Sequence, residues 1–121
     1  MPRKVSAQHR EAILDAALEC FSKRGFDATR VEDIARLAGV AKGSVYTHFK
    51  DKEALFQGLI ESTLLPLYRQ VQEIQRDKTL TLREKITRAA QPLLDDNGNS
   101  KSARVMRLFW SESLHNPAFV N

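Results

Sequence analysis

Apolar residues in this chain recur every three or four positions, and this helical spacing is the feature that most limits its fold. Ile13, Ala17 and Phe21 begin one such pattern, and Val31 and Ile34 begin the next. No segment shows the sustained apolar–polar alternation of a half-buried strand. The sequence therefore predicts an all-α protein.

Turn and capping residues divide the first half of the chain into short helices. Gly25 follows the first apolar segment and suits a helix end, because glycine tolerates a positive φ. Thr29 and Glu32 have the spacing of a capping box, in which the hydroxyl caps a new helix and the carboxylate reaches back. This second helix is predicted to run to Gly39, and Asp51 is predicted to cap a fourth helix.

The second half of the chain is predicted to hold the rest of a long fourth helix and two further helices. Pro66 lies inside the long apolar pattern and is expected to kink or split that helix. Thr81 and Glu84 repeat the capping-box spacing and open a fifth helix. Residues 95–100 form a cluster of turn-forming residues, and Asn116-Pro117 is expected to end a sixth helix.

The charge of the chain does not by itself identify a partner. Nineteen basic and 15 acidic residues give a formal net charge of +4, and each half contributes +2. Residues 1–10 and residues 34–50 each carry three basic residues and no acidic one. A basic run is usually a solvated face, so these two runs permit a nucleic-acid partner without requiring it.

Several classes of protein are excluded by what the sequence does not contain. The single cysteine, Cys20, excludes an internal disulfide framework and is predicted to be a buried thiol rather than a redox sensor. No apolar run approaches the roughly 18 residues of a membrane span, and no apolar segment follows the basic N-terminus as in a secretory signal. No nucleophile–base pair, metal-ligand set or phosphate loop is visible. We therefore expect a cytoplasmic protein that is not an enzyme and has neither a cofactor nor a metal.

Residues 29–49 are predicted to form a helix-turn-helix, because two short helices there are joined by a tight turn containing Gly39. Val45 and Phe49 would turn the second helix's apolar side inward, leaving a polar side to enter the major groove of DNA. Gly43 would let the backbone approach the bases closely. The predicted outward residues are Lys42, Gly43, Ser44, Tyr46, Thr47 and His48.

Two interpretations of this segment remain open at the level of residues alone. An all-helical protein-interaction module without DNA binding would explain the helices, but it would not explain a polar, glycine-containing face. His48 would either contact DNA or cap the end of its own helix.

The first half of the chain resembles a known family. Residues 21–29 (FSKRGFDAT) and 34–55 (IARLAGVAKGSVYTHFKDKEAL) are similar to the DNA-binding domain of the TetR family of bacterial transcriptional repressors. Thr47 departs from the pattern, since many members carry a second Tyr there. The resemblance implies a three-helix helix-turn-helix domain over residues 1–52 and a helical domain from residue 53 that binds a small molecule and dimerises.

The resemblance also assigns roles to individual residues. Thr29 would cap the second helix and touch a phosphate, and Lys52 would contact a phosphate from the start of the fourth helix. Lys42 and Gly43 would approach bases. The groove-edge and phosphate contacts would come from Ser44, Tyr46 and His48, and from Thr47, where the sequence departs from the family pattern.

Residues 53–121 match the family only loosely, and members normally continue well past this length. We therefore expect a connecting helix and the incomplete start of a regulatory domain. Met106, Phe109 and Trp110 would line its ligand pocket, or else pack as ordinary helix contacts. The implied partners are a palindromic duplex operator, an unidentified small-molecule effector and a second copy of the full-length chain, with no membrane. The 121-residue chain itself is expected to dimerise weakly.

Overall fold

The computed structural model describes the backbone of residues 2–115 and the side chains of residues 7–115. Every regular element in this range is an α-helix, which confirms the all-α prediction, and none of these helices has an apolar stretch long enough to cross a membrane. Asn116-Pro117, predicted to end the last helix, lies outside the described residues. The helices are α1 (Pro2–Arg24), α2 (Val31–Ala38), α3 (Lys42–His48), α4 (Lys52–Arg76), α5 (Leu82–Gly98) and α6 (Lys101–His115).

The first compact unit ends at Leu59 and therefore includes the first two turns of α4. Its core contains three aromatic rings, Phe21, Phe26 and Phe56, whose centroids lie 5.4–5.9 Å apart. Leu55 and Leu59 are fully buried in the same unit. The sequence placed the domain boundary after Lys52, whereas the compact unit extends seven residues further because these α4 side chains complete its core.

Local signals placed the helix ends of this unit correctly in three cases. Gly25 follows α1 with φ 82°, and its N–H donates to the Phe21 carbonyl at 2.8 Å. Gly39 ends α2 with φ 74°. The Asp51 carboxylate accepts a hydrogen bond of 2.8 Å from the Ala54 N–H and so caps α4.

The second compact unit begins at Ile60 and contains the rest of α4 together with α5 and α6. Pro66 was predicted to kink or split this helix, and the split is excluded because α4 continues through the residue as one helix. A proline removes one backbone donor from the helix ladder, but the ladder can resume on either side of it.

The predicted capping box of α5 is confirmed. The Glu84 N–H donates to Thr81 Oγ1 at 3.1 Å, and the Thr81 N–H donates to Glu84 Oε1 at 3.0 Å. Hydrogen bonding from Thr81 lowers the pKa of the Glu84 carboxyl group. The predicted turn is also present, since Asp96 and Asn97 both have φ 55° at the end of α5.

The two helices of this unit that follow α4 differ in burial. α6 buries Ala103, Val105 and Leu108, whereas α5 buries no residue. Ile86 of α5, for example, is 61% exposed. Helical spacing of apolar residues therefore does not ensure that they are buried.

Candidate nucleic-acid interface

α2 and α3 form a helix-turn-helix held together from its inner side. α2 buries Val31, Ile34 and Ala35. The turn between the helices is tight, because the Val40 N–H donates to the Ala35 carbonyl at 3.0 Å. Val45 is fully buried and Phe49, directly after α3, is 4% exposed, as predicted.

The outer face of α3 consists of the six residues singled out from the sequence. Ser44 and His48 are half-buried, and the other four are exposed. The Thr47 hydroxyl donates to the Gly43 carbonyl at 3.0 Å and is therefore turned toward its own helix. The exposed four are Lys42, Gly43, Tyr46 and Thr47.

Lys42 has an acidic partner that the sequence analysis missed. Its Nζ lies 2.8 Å from Glu32 Oε1 and 5.9 Å from the centroid of the Tyr46 ring. The hydrogen bond between the two groups lowers the pKa of Glu32 and raises that of Lys42. Glu32 stands just outside the acid-free run of residues 34–50, and folding brings its carboxylate onto that run.

The capping role assigned to the Thr29 side chain is wrong. The residue is 1% exposed, and its hydroxyl donates toward the carbonyls of Gly25 at 2.7 Å and Cys20 at 3.1 Å. The N-cap of α2 is Arg30, without a side-chain cap bond. The Thr29 hydroxyl therefore satisfies carbonyl groups at the end of α1, and its contact with a phosphate stays a prediction.

Lys52 contacts its own domain. Its Nζ donates to the Phe26 carbonyl at 2.8 Å and to the Asp27 carbonyl at 3.2 Å, and it lies 4.6 Å from the centroid of the Phe26 ring. The first residue of α4 thus holds the turn between α1 and α2. A phosphate contact by Lys52 stays a prediction, since an ammonium group has three donors.

Phe49 connects α3 to two other helices. The Arg10 guanidinium carbon lies 4.6 Å from the centroid of its ring, so this member of the basic N-terminal run is used for packing. On α4, a Cβ atom added to Gly58 would lie 2.8 Å from Phe49 Cε1. Only a glycine permits this approach without a shift, and the close contact fixes the end of α3.

Cys20 is a buried thiol, as predicted. It is 9% exposed, and desolvation raises its pKa above the usual value, with a further contribution from Asp33. Burial and a raised pKa both disfavour the reactive thiolate.

The residues predicted to bind a ligand lie on α6. Met106 and Phe109 are half-buried, whereas Trp110 is 60% exposed. The Phe109 and Trp110 rings meet edge to face, 5.8 Å apart. A separate apolar cavity of about 210 Å³ lies between α4 and α5, lined by side chains that include Ile74 and Ile86.

A family model agrees with this arrangement. Residues 13–59 match the family model of the bacterial regulatory proteins, tetR family, a range that spans the helix-turn-helix and the end of the first compact unit. Over these residues the chain is a member of the TetR family.

Individual members of the TetR family extend the likeness into the second unit. The regulator YhgD of Bacillus subtilis is 35% identical over 91 residues, which make up 75% of this chain and 47% of YhgD. A regulator from Aquifex aeolicus superposes with a TM-score of 0.78 at 28% identity, over 93% of this chain and 61% of its own.

SmeT, the repressor of the Stenotrophomonas maltophilia multidrug efflux pump SmeDEF, superposes with a TM-score of 0.71. It is 29% identical over 91% of this chain and 55% of its own, and it has also been solved in complex with triclosan. This chain therefore spans less than two thirds of the length of each of these relatives.

Proposed function

We propose that this chain acts in a transcriptional regulator that binds specific DNA sequences through the outer face of α3. The observation that carries the proposal is the division of α3 into two sides. Val45 and the adjoining Phe49 are buried, while a cation, an aromatic hydroxyl and an exposed glycine face outward. This is the division that a recognition helix needs.

The dimensions of α3 support the same proposal. An α-helix with its side chains is roughly 10–12 Å across and fits the major groove of B-DNA, which is roughly 12 Å wide, and the seven residues of α3 extend about 10 Å along it. One such helix reads only a few base pairs. We therefore propose that the full-length protein binds a palindromic operator as a homodimer, with its two α3 helices about 34–36 Å apart.

The regulatory part of the proposal is repression that a small molecule relieves. Its support is the likeness to SmeT, a repressor solved with a bound small molecule. Met106, Phe109 and Trp110 remain the proposed effector contacts on α6. The protein would act in the cytoplasm, where a bacterial operator is accessible, and it would need no catalytic activity.

The test is selection of bound sequences from a random pool of duplexes, followed by binding measurements on the recovered duplex. Lys42→Ala and Tyr46→Ala are each expected to weaken binding about 5- to 150-fold, since a good base contact contributes about 1–3 kcal/mol. Their matched controls are Lys78→Ala and Tyr68→Ala, which remove the same exposed side chains from the second unit. Helicity should be unchanged in all four variants.

Loss of affinity in the α3 variants alone supports the recognition-helix assignment. Unchanged affinity in both α3 variants would contradict it. Failure to recover any duplex whose binding depends on salt would favour the alternative class, an all-helical protein-interaction module.

A further inference from the structure

The cation on the outer face of α3 is not free to act as a simple positive charge. Lys42 Nζ and Glu32 Oε1 are 2.8 Å apart, and both side chains remain about half exposed. The pair therefore lies at the surface that the proposed function presents to DNA, and any group that reaches Lys42 also meets Glu32.

Phosphates and base edges differ in how they tolerate this carboxylate. A phosphate is an anion, so its approach to Lys42 would place two negative charges beside one ammonium group. The N7 and O6 atoms of guanine are neutral acceptors and meet far less repulsion. An ammonium group has three donors, so Lys42 can keep its bond to Glu32 while donating to a base edge.

We infer that Glu32 is a specificity-determining residue. Its carboxylate disfavours contact between Lys42 and phosphates, so that Lys42 contacts base edges instead. The inference rests on the proposed function, because it requires the outer face of α3 to meet DNA. It predicts that removing the carboxylate releases Lys42 to any phosphate within reach. Binding to unrelated sequences should then become stronger.

The test compares the selected duplex with a scrambled duplex of the same length and composition. For Glu32→Gln on the scrambled duplex, the slope of log affinity against log salt should steepen by about 0.9, the value for one added phosphate contact. The affinity would then fall about 3.5-fold more than that of the unmodified chain over a fourfold rise in salt. Affinity for the selected duplex should rise less, so the ratio of specific to non-specific affinity should fall.

Two controls separate this effect from a general change of charge. Glu53→Gln makes the same change of charge at an exposed residue in the first turn of α4. It should leave the slope of log affinity against log salt for the scrambled duplex nearly unchanged. In a Lys42→Ala background, Glu32→Gln should no longer steepen the slope. Helicity verifies that each variant is folded.

The outcomes distinguish this inference from the proposed function. If Lys42→Ala leaves binding to the selected duplex unchanged, the inference fails, and the proposed function fails with it only if Tyr46→Ala is also without effect. If Lys42→Ala weakens binding but Glu32→Gln behaves like Glu53→Gln, only the inference is overturned. A loss of affinity for the selected duplex in Glu32→Gln, without a gain for the scrambled duplex, would also overturn the inference, since that result would mean that Glu32 itself contacts a base.

Discussion

The two compact units contain helices of similar apolar periodicity, yet they bury their apolar residues to very different extents. In the first unit Ile13, Ile34 and Val45 are fully buried. In the second unit large apolar side chains remain exposed on α5 and α6: Leu82 (74%), Ile86 (61%), Leu94 (62%), Trp110 (60%) and Leu114 (81%).

This difference shows what a helical pattern does and does not determine. Spacing along the sequence decides which side of a helix is apolar. Whether that side is covered depends on other elements that no local pattern describes. The first unit contains the elements that bury its own apolar sides, and it therefore provides a fixed support for α3.

The largest expected difference between the units comes from the same substitution at a buried and an exposed isoleucine. Ile13→Ala should destabilise the chain by about 2–5 kcal/mol, because it leaves a cavity in the first unit. Ile86→Ala should change stability by less than about 0.5 kcal/mol, because its side chain is already exposed. Urea unfolding followed by circular dichroism measures both. Equal losses of stability in the two variants would mean that the two units do not differ in how deeply they bury these isoleucines.

A second pair of substitutions tests the contact between α4 and the end of α3. Gly58→Ala should lower the free energy of unfolding by about 1–3 kcal/mol, because the added methyl group would overlap the Phe49 ring. Gly43→Ala meets no atom within 4 Å and should stabilise α3 by about 0.5–1 kcal/mol. Thermal unfolding distinguishes the two. A neutral Gly58→Ala would mean that Phe49 can move aside.

Gly43→Ala also sharpens the comparison between stability and binding. If the backbone at Gly43 approaches the bases, the added methyl group should weaken binding to the selected duplex even though the chain becomes more stable. Stronger binding would instead show that the approach is not close at this residue.

A third prediction concerns the buried hydroxyl of Thr29. Thr29→Val should lower the free energy of unfolding by about 1–3 kcal/mol, because it removes the hydroxyl that donates to the Gly25 and Cys20 carbonyls. Thr29→Ser keeps the hydroxyl and should lose less. Chemical denaturation of the two variants measures the difference, and a larger loss in the serine variant would assign the effect to the methyl group.

The smallest loss of stability expected from removing a single described contact lies at the start of α5. Thr81→Ala should cost the second unit about 1 kcal/mol, because it removes the capping bond to the Glu84 N–H. Trp110 is the only tryptophan of the chain, so its fluorescence reports on this unit alone. An unchanged fluorescence transition would indicate that α5 does not limit the stability around α6.

The features that the sequence predicted well are those fixed by neighbouring residues. Gly25 and Gly39 end their helices because a positive φ suits glycine. Asp51 and Thr81 cap theirs because the donor they bind lies three residues ahead. The outer face of α3 followed from the positions of its buried residues, which are also set within one helix.

The features that the sequence did not predict depend on contacts between elements. Thr29 matched a capping pattern, in which its hydroxyl would accept from a backbone N–H, but the hydroxyl instead donates to carbonyl groups at the end of α1. Glu32 was assigned to the same pattern, whereas folding pairs it with Lys42 across the turn. Lys52 reaches carbonyl groups 25 and 26 residues earlier in the chain. No local rule contains these pairings, because they exist only once the helices have packed.

The burial of Val45 and Phe49 on the inner side of α3 has a consequence for how such a domain changes over generations. The exposed positions that would read DNA contribute less to folding, so they can be substituted in succession without loss of the fold. Under the proposed function, copies of this domain would therefore acquire new operators while keeping one scaffold. The same separation makes the outer face of α3 the natural set of positions to randomise when a new target sequence is wanted.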